Sequence, residues 1–446
     1  MTIDIDDPAF TLGVVGAGAM GRGIAQIAAA GGFRVKMTDA RGEASREASA
    51  FIARMLRRRA EKGQCSAEEA EVAISRIEIV HEFHDLAAAC VVVEAVIEDL
   101  GVKRELMARI EPLRSDGSVV STNTSGIPLR DITNGMPKHL RRNIAVTHFF
   151  NPVKVMRLME LVPGTDTDGD VIEALSAFCG RTLGKGVVHA KDTVNFIGNR
   201  IGCFWMLMGL HRAEEARDAG LSTEMIDALM STPFGLPSTG LYGLIDLVGL
   251  DVMDFVGKNL AQNLPAGDMG IDFVVLPAAE QAMLKRGQIG RKSGGGFYRV
   301  NKLDDGSKVK ETFNLETGDW RNAEEVALDD AHSNLDVMFA DDAMGRFCWH
   351  VVGGTLSYAA DLIPEISDDV LNIDCAMRWG FNWQQGPFEM LDTLGPTRFI
   401  KRLEADGLNV PKMLGVMRNA GVKTFYRNDG REFLGRDGNY YPIPAE

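Results

Sequence analysis

The chain opens on a short apolar run, Thr11–Val15, followed by a glycine-rich stretch from Gly16 to Gly21 and small residues in helical spacing over 23–30. A second apolar run, 33–38, ends at Asp39. Strand, helix, strand in that order predicts a β-α-β unit. A charged stretch over 43–62 reads as a surface helix. Residues 90–96 and 118–122 have the length and composition of buried strands, with a helical pattern over 103–113 between them, and 186–190 reads as the last strand. Such alternation predicts a Rossmann-type, doubly wound and mostly parallel sheet.

The pattern then becomes helical. Residues 195–219 form one long run stopped by Gly220, and Ser222 is placed to cap the next helix. Helical spacing continues to about 284, residues 301–333 are polar and irregular, and helices return afterwards. The return echoes the first helical region: Arg200 with Arg346, and Asp246 with Asp392, share one offset of 146 residues. The expected fold is α/β plus all-α. It has a nucleotide-binding domain at 1–191, a first helical domain at 192–300, a linker or hairpin at 301–333, and a second, duplicate helical domain at 334–446.

One further segment predicts a specific contact. His148 ends the apolar run NIAVTHFF, and Glu160 lies in RLMELV, with the polar bend Asn151-Pro152-Val153-Lys154 between them. If the runs pair as an antiparallel hairpin centred on Lys154, His148 falls opposite Glu160. A carboxylate beside an imidazole raises its basicity and fixes its tautomer, which is the equipment of a general base.

Composition narrows the partners. The 446 residues carry a net charge of −14, which argues against nucleic acid or an anionic membrane as the main partner. The stretch 86–97 is interrupted by Glu94 and is too short to span a bilayer. Six cysteines are scattered without a Cys-x-x-Cys, and the amino terminus lacks a signal or transit pattern, so a cytoplasmic location is expected. His81 and His84 lack the spacing of a zinc helix, and no metal is expected.

Gly16-Ala17-Gly18-Ala19-Met20-Gly21 fits G-x-G-x-x-G directly after a strand and at a helix start. Gly16 permits the turn, Gly18 lets the backbone approach a pyrophosphate, and Gly21 lets helix and strand pack closely. Asp39, 23 residues after Gly16, can accept hydrogen bonds from a ribose 2′-hydroxyl and favours NAD over NADP. Arg41 is a side chain of the kind that accommodates a 2′-phosphate. Asn123 and Ser125 follow a strand, where ligands line the crevice of such sheets, although, taken alone, local loop hydrogen bonding is the plainer reading. Asn199, taken singly, reads as a helix-surface residue.

Together these stretches are similar to the L-3-hydroxyacyl-CoA dehydrogenase family of fatty-acid β-oxidation. The resemblance runs from Gly13 to about Gly395 and rests on GAGAMGRGIA, VVEAVIEDLGVKREL, STNTSG, HFFNPVKVMRLMELV, KDTVNFIGNRIG and the GLIDLVGLD and GGGFY region. It is strongest toward the dehydrogenase portions of multifunctional β-oxidation proteins. It implies that His148 is the catalytic histidine, Glu160 its partner, and Ser125 and Asn199 the residues that hydrogen-bond the substrate. It also implies NAD contacts for Gly16, Gly18, Ala19, Met20, Gly21, Asp39, Glu98, Lys103, Asn123 and Asn151. Lys62 aligns loosely with a CoA-phosphate contact, against the plainer reading of a solvated helix face. Two departures stand out: Val194-Asn195 where many members have Pro-Gly, and Gly126 where a second serine is common.

The implied reaction is NAD-dependent oxidation of an L-3-hydroxyacyl-CoA, in a cleft between the first two domains. The implied partners are the acyl-CoA thioester and an enoyl-CoA hydratase domain or subunit, and the implied state is a monomer or a homodimer. Two other readings fit the residues: a dehydrogenase of free 3-hydroxy acids, and a cofactor-binding scaffold without catalysis.

Overall fold

The computed structural model describes residues 4–7, 9–303 and 305–444. They divide into two compact units, Met1–Phe196 and Ile197–Glu446.

The first unit is built on one eight-stranded sheet. Its strands are β1 (Thr11–Val15), β2 (Arg34–Thr38), β3 (Ile77–Ile79), β4 (Val91–Glu94), β5 (Val119–Thr122), β6 (Ile144–Phe149), β7 (Leu158–Pro163) and β8 (Gly186–His189). The order is β3-β2-β1-β4-β5-β6-β7-β8. Pairing is parallel from β3 through β6, β7 runs antiparallel to β6, and β8 runs parallel to β7. The chain leaves β1 in one direction through β2 and β3 and returns on its other side as β4. That reversal is where such sheets bind ligands.

Strands β1, β4, β5 and β6 are buried along their whole length, as the unbroken apolar runs require of a sheet covered on both faces. The expected strand over 90–96 shortens to four residues. The half-exposed β3 has too few residues for a periodic signal, so it was not anticipated.

In the second unit the helix Gly198–Asp218 is buried along most of its length. Ser222 does cap the next helix, its Oγ accepting from the Met225 N–H at 3.2 Å. The segment expected as a linker or hairpin, 301–333, holds antiparallel strand structure in its first part. Strands β9 (Tyr298–Lys302), β10 (Lys308–Phe313) and β11 (Trp320–Asn322) form an antiparallel meander. A second meander, β12 (Tyr426–Arg427), β13 (Glu432–Leu434) and β14 (Tyr440–Pro442), lies near the carboxyl end.

One hydrogen-bonding device occurs twice in this unit. Asp227 accepts from the Tyr242 and Gly243 N–H groups at 2.6 and 3.2 Å, in the first turn of the helix Gly240–Val248, and from the Tyr298 hydroxyl at 2.8 Å. Asp374 accepts from the Phe388 and Glu389 N–H groups at 2.8 and 3.1 Å, in the first turn of the helix Pro387–Leu394, and from the Tyr426 hydroxyl at 2.8 Å. Asp246 takes the Phe297 and Tyr298 N–H groups, and Asp392 takes those of Phe425 and Tyr426. In each copy a carboxylate satisfies donors that a helix start leaves unpaired, while a second carboxylate ties the meander's first strand to that helix. Arg200 and Arg346 are not alike: Arg200 is buried and Arg346 exposed.

Candidate active site

His148 on β6 and Glu160 on β7 share one rung of the antiparallel ladder, the register centred on Lys154. Directly opposed residues of such a pair project to the same face. His148 Nδ1 lies 2.6 Å from Glu160 Oε2, and His148 Nε2 lies 3.1 Å from Ser125 Oγ. Both side chains are buried, Glu160 completely. A carboxylate acceptor at Nδ1 keeps the proton on that nitrogen and leaves the Nε2 lone pair facing Ser125. The rings of Phe150 and Phe196 flank the imidazole, with centroids at 4.7 and 5.5 Å.

The loop carrying Ser125 is fixed from below. Glu98 Oε1 accepts from the Ser125 N–H, the Gly126 N–H and the Thr124 hydroxyl at 2.8, 2.9 and 2.7 Å. Its other oxygen faces Lys103 Nζ at 3.3 Å, and that ammonium also donates to Glu94 at 2.7 Å. Burial pushes the Glu98 carboxyl up, but Lys103 and the three donors outweigh it and hold it below its ordinary value. Lys103 is 1% exposed. Lys103 thus pairs with Glu94 and Glu98 inside the protein, and through Glu98 it supports the Ser125 loop. Asn123 works similarly, its Oδ1 accepting from the Phe149 N–H at 2.9 Å, one residue past His148.

The glycine loop shows why each position is small. Gly16 has φ +104°, and a Cβ there would meet the Ala95 carbonyl oxygen at 2.4 Å. A Cβ on Gly21 would come 1.8 Å from the Gly16 carbonyl oxygen. Gly18 is different: a Cβ there meets nothing within 4 Å. Gly18 and Ala19 are exposed and Met20 half-buried, and the helix Ala19–Ala30 begins with no side-chain cap. That start is an open anion cradle, and it fits a dinucleotide pyrophosphate. Asp39 at the end of β2 accepts from the Ala17 N–H at 2.8 Å and the Arg41 N–H at 2.9 Å, so it braces the loop.

Asn151 is exposed in the turn joining β6 to β7. Two devices that the sequence did not reveal hold this turn. Lys185 donates to the carbonyl oxygens of Val153 and Met156, and Gly23 leaves room for Val153, whose Cβ would stand 2.9 Å from a Cβ on Gly23. Lys62 is exposed just past the helix Gly42–Glu61. Burial lowers the Lys154 ammonium below its ordinary value, and the neighbouring charges of Arg59 and Lys62 lower it further, so the three form one basic patch.

At the departure noted in the sequence, Asn195 and Phe196 have φ of +60° and +50°. Asparagine tolerates that region better than most residues, which explains why it can stand where glycine is common. In the second unit, Asn199 is half-buried in the first turn of the helix Gly198–Asp218.

Two family models match in succession: the NAD binding domain of 3-hydroxyacyl-CoA dehydrogenase over residues 11–193, and the C-terminal domain of the same family over 196–300. A probable 3-hydroxyacyl-CoA dehydrogenase of Bacillus subtilis is 34% identical over 362 residues, covering 79% of this chain and 45% of that protein. The 3-hydroxyadipyl-CoA dehydrogenase of Escherichia coli is 29% identical, covering 88% of this chain and 93% of that protein. The crystal structure of 3-hydroxybutyryl-CoA dehydrogenase from Escherichia coli superposes with a TM-score of 0.73 at 26% identity, covering 91% of this chain and 97% of that one. The chain spans about half the length of the first relatives it matches, 45% and 56% of them.

Proposed function

Because the chain belongs to the 3-hydroxyacyl-CoA dehydrogenase family, we propose that it interconverts an L-3-hydroxyacyl-CoA and the 3-ketoacyl-CoA in fatty-acid oxidation. The observation that carries this reading is the hydrogen-bonded series Glu160–His148–Ser125. His148 Nε2 takes the proton of the 3-hydroxyl as C3 is oxidised, and Glu160 stabilises the imidazolium that results. In the reverse direction the imidazolium returns the proton to the ketone oxygen. Gly16, Gly18, Ala19, Met20 and Gly21 would hold NAD, with Asp39 near its ribose and Asn151 near its nicotinamide, and bound NAD would supply the hydride acceptor. Ser125 and Asn199 hold the oxygen and the thioester in reacting geometry. The basic patch of Arg59, Lys62 and Lys154 offers charge for the phosphates of the CoA moiety.

In the described residues no helix is long and apolar enough to cross a membrane. All six cysteines are free thiols, which fits the cytoplasm as the site of action. The proposed partners are the acyl-CoA and an enoyl-CoA hydratase domain or subunit. With two helical repeats in one chain, the proposed state is a monomer.

The test is NADH consumption with acetoacetyl-CoA, followed by absorbance. Turnover with acetoacetyl-CoA and none with free acetoacetate supports the assignment. Turnover of the free acid alone supports the free-acid dehydrogenase, and NADH binding with no turnover of either supports a scaffold.

A further inference from the structure

The helix Gly198–Asp218 carries Asn199 in its first turn. It begins with glycine, and Ile197 before it supplies no side-chain cap. Glycine is a weak helix former, so this turn gains from outside contacts. Yet a group that orients a substrate must be held to a fraction of an ångström. Elements packed on this turn can set its position.

Arg200 does so from the adjacent position. It is 1% exposed, and its guanidinium donates through Nε to the Tyr358 hydroxyl at 2.5 Å, and through Nη2 to Asp268 and to Glu365, the latter at 3.0 Å. The Tyr358 hydroxyl in turn donates to Asp268 at 2.9 Å. Tyr358 lies on the helix Gly354–Asp361 and Glu365 in the connection that follows, both in the second helical repeat. The same repeat packs along the helix. Phe204 stacks on Tyr358 with centroids 4.0 Å apart, and Gly202 leaves room for Phe381, whose ring would stand 2.0 Å from a Cβ on Gly202. The second repeat has no counterpart of Asn199: Gly345 occupies that place, and a Cβ there would meet the Ala340 carbonyl oxygen at 2.1 Å.

We propose that the second helical repeat is a positioning platform for the first, with Tyr358 and Glu365 acting through Arg200 to fix the turn that bears Asn199. This rests on the reading that Asn199 holds the acyl thioester. Tyr358 and Glu365 are positioning residues, since they reach the reaction only through Arg200.

The test is a double-mutant cycle in the full chain. Tyr358→Phe removes the hydroxyl and keeps the ring on Phe204. It should lower kcat/KM for acetoacetyl-CoA about tenfold while leaving NADH affinity within about twofold. Asn199→Ala should lower the same quantity, and the double variant should be no slower than Asn199→Ala, because Tyr358 then has nothing left to position. Multiplying losses, or wild-type turnover in Tyr358→Phe, overturns the proposal. Glu365→Gln, at a more exposed position, provides a second arm with the same expected pattern. Wild-type turnover in Asn199→Ala overturns the role of Asn199 beneath it and leaves that failure distinct from the first.

Discussion

His148 and Glu160 meet across a single rung of the β6–β7 ladder, with Nδ1 2.6 Å from Oε2 and the turn centred on Lys154. His148→Gln keeps a side chain of similar reach but removes the proton acceptor. Turnover of acetoacetyl-CoA should fall by at least about 100-fold, the lower end of general acid–base catalysis. NADH binding, read by fluorescence titration, should be retained. Turnover near that of the unaltered chain would reject His148 as the base.

Gly18 and Gly21 separate binding from folding. Gly18→Ala adds a methyl where the protein leaves open space, so the thermal midpoint should hardly move while NADH binding weakens by about tenfold. Gly21→Ala drives a methyl into the Gly16 carbonyl and should cost roughly 1–3 kcal/mol of stability. Equal loss of stability in both variants would contradict the geometry of this loop.

Lys185 should leave a signature at alkaline pH. Burial lowers its ammonium from 10.5 to about 8. Between those values the unfolded chain binds the proton and the folded chain does not, so stability from this group rises with pH across that window. The unfolding free energy of the unaltered chain relative to Lys185→Met should therefore increase from pH 7.5 to pH 10. A flat difference in denaturant melts would show that Lys185 does not titrate as its surroundings require.

His332 works in the opposite sense. It bridges Asp342 at 2.8 Å and Asp329 at 2.7 Å, and its bond to Asp342, with help from Asp329, outweighs burial and raises its basicity above the ordinary 6.5. A raised histidine contributes stability that is fully present below 6.5 and is lost as pH climbs through the folded value. The thermal midpoint of the unaltered chain should exceed that of His332→Gln more at pH 5.5 than at pH 8.5. A gap that widens with pH would contradict the bridge.

Much of this was legible in the chain because it depends on local pattern. The hairpin register follows from two apolar runs equidistant from Lys154, and the glycine loop from a motif whose sterics are self-contained. The Ser222 cap follows from a side chain three residues before its donor. What was missed depends on partners far apart in sequence. The three donors at 124–126 that meet Glu98 lie 26 to 28 residues away from it and leave no local pattern. Lys185 resembles any surface lysine until two carbonyl oxygens at 153 and 156 meet it. Arg200 gives no hint of Tyr358, 158 residues away. The second meander has strands of only two or three residues, too short for alternation to register.

The contacts of Arg200 with Tyr358 and Glu365 join two helical repeats of one chain, which has a consequence for how this chain behaves on dilution. Two modules joined by a peptide tether see each other at an effective concentration near the millimolar range, whatever the concentration of the chain. The platform beneath Asn199 is thus indifferent to abundance: specific activity should be as high at a nanomolar concentration as at a micromolar one.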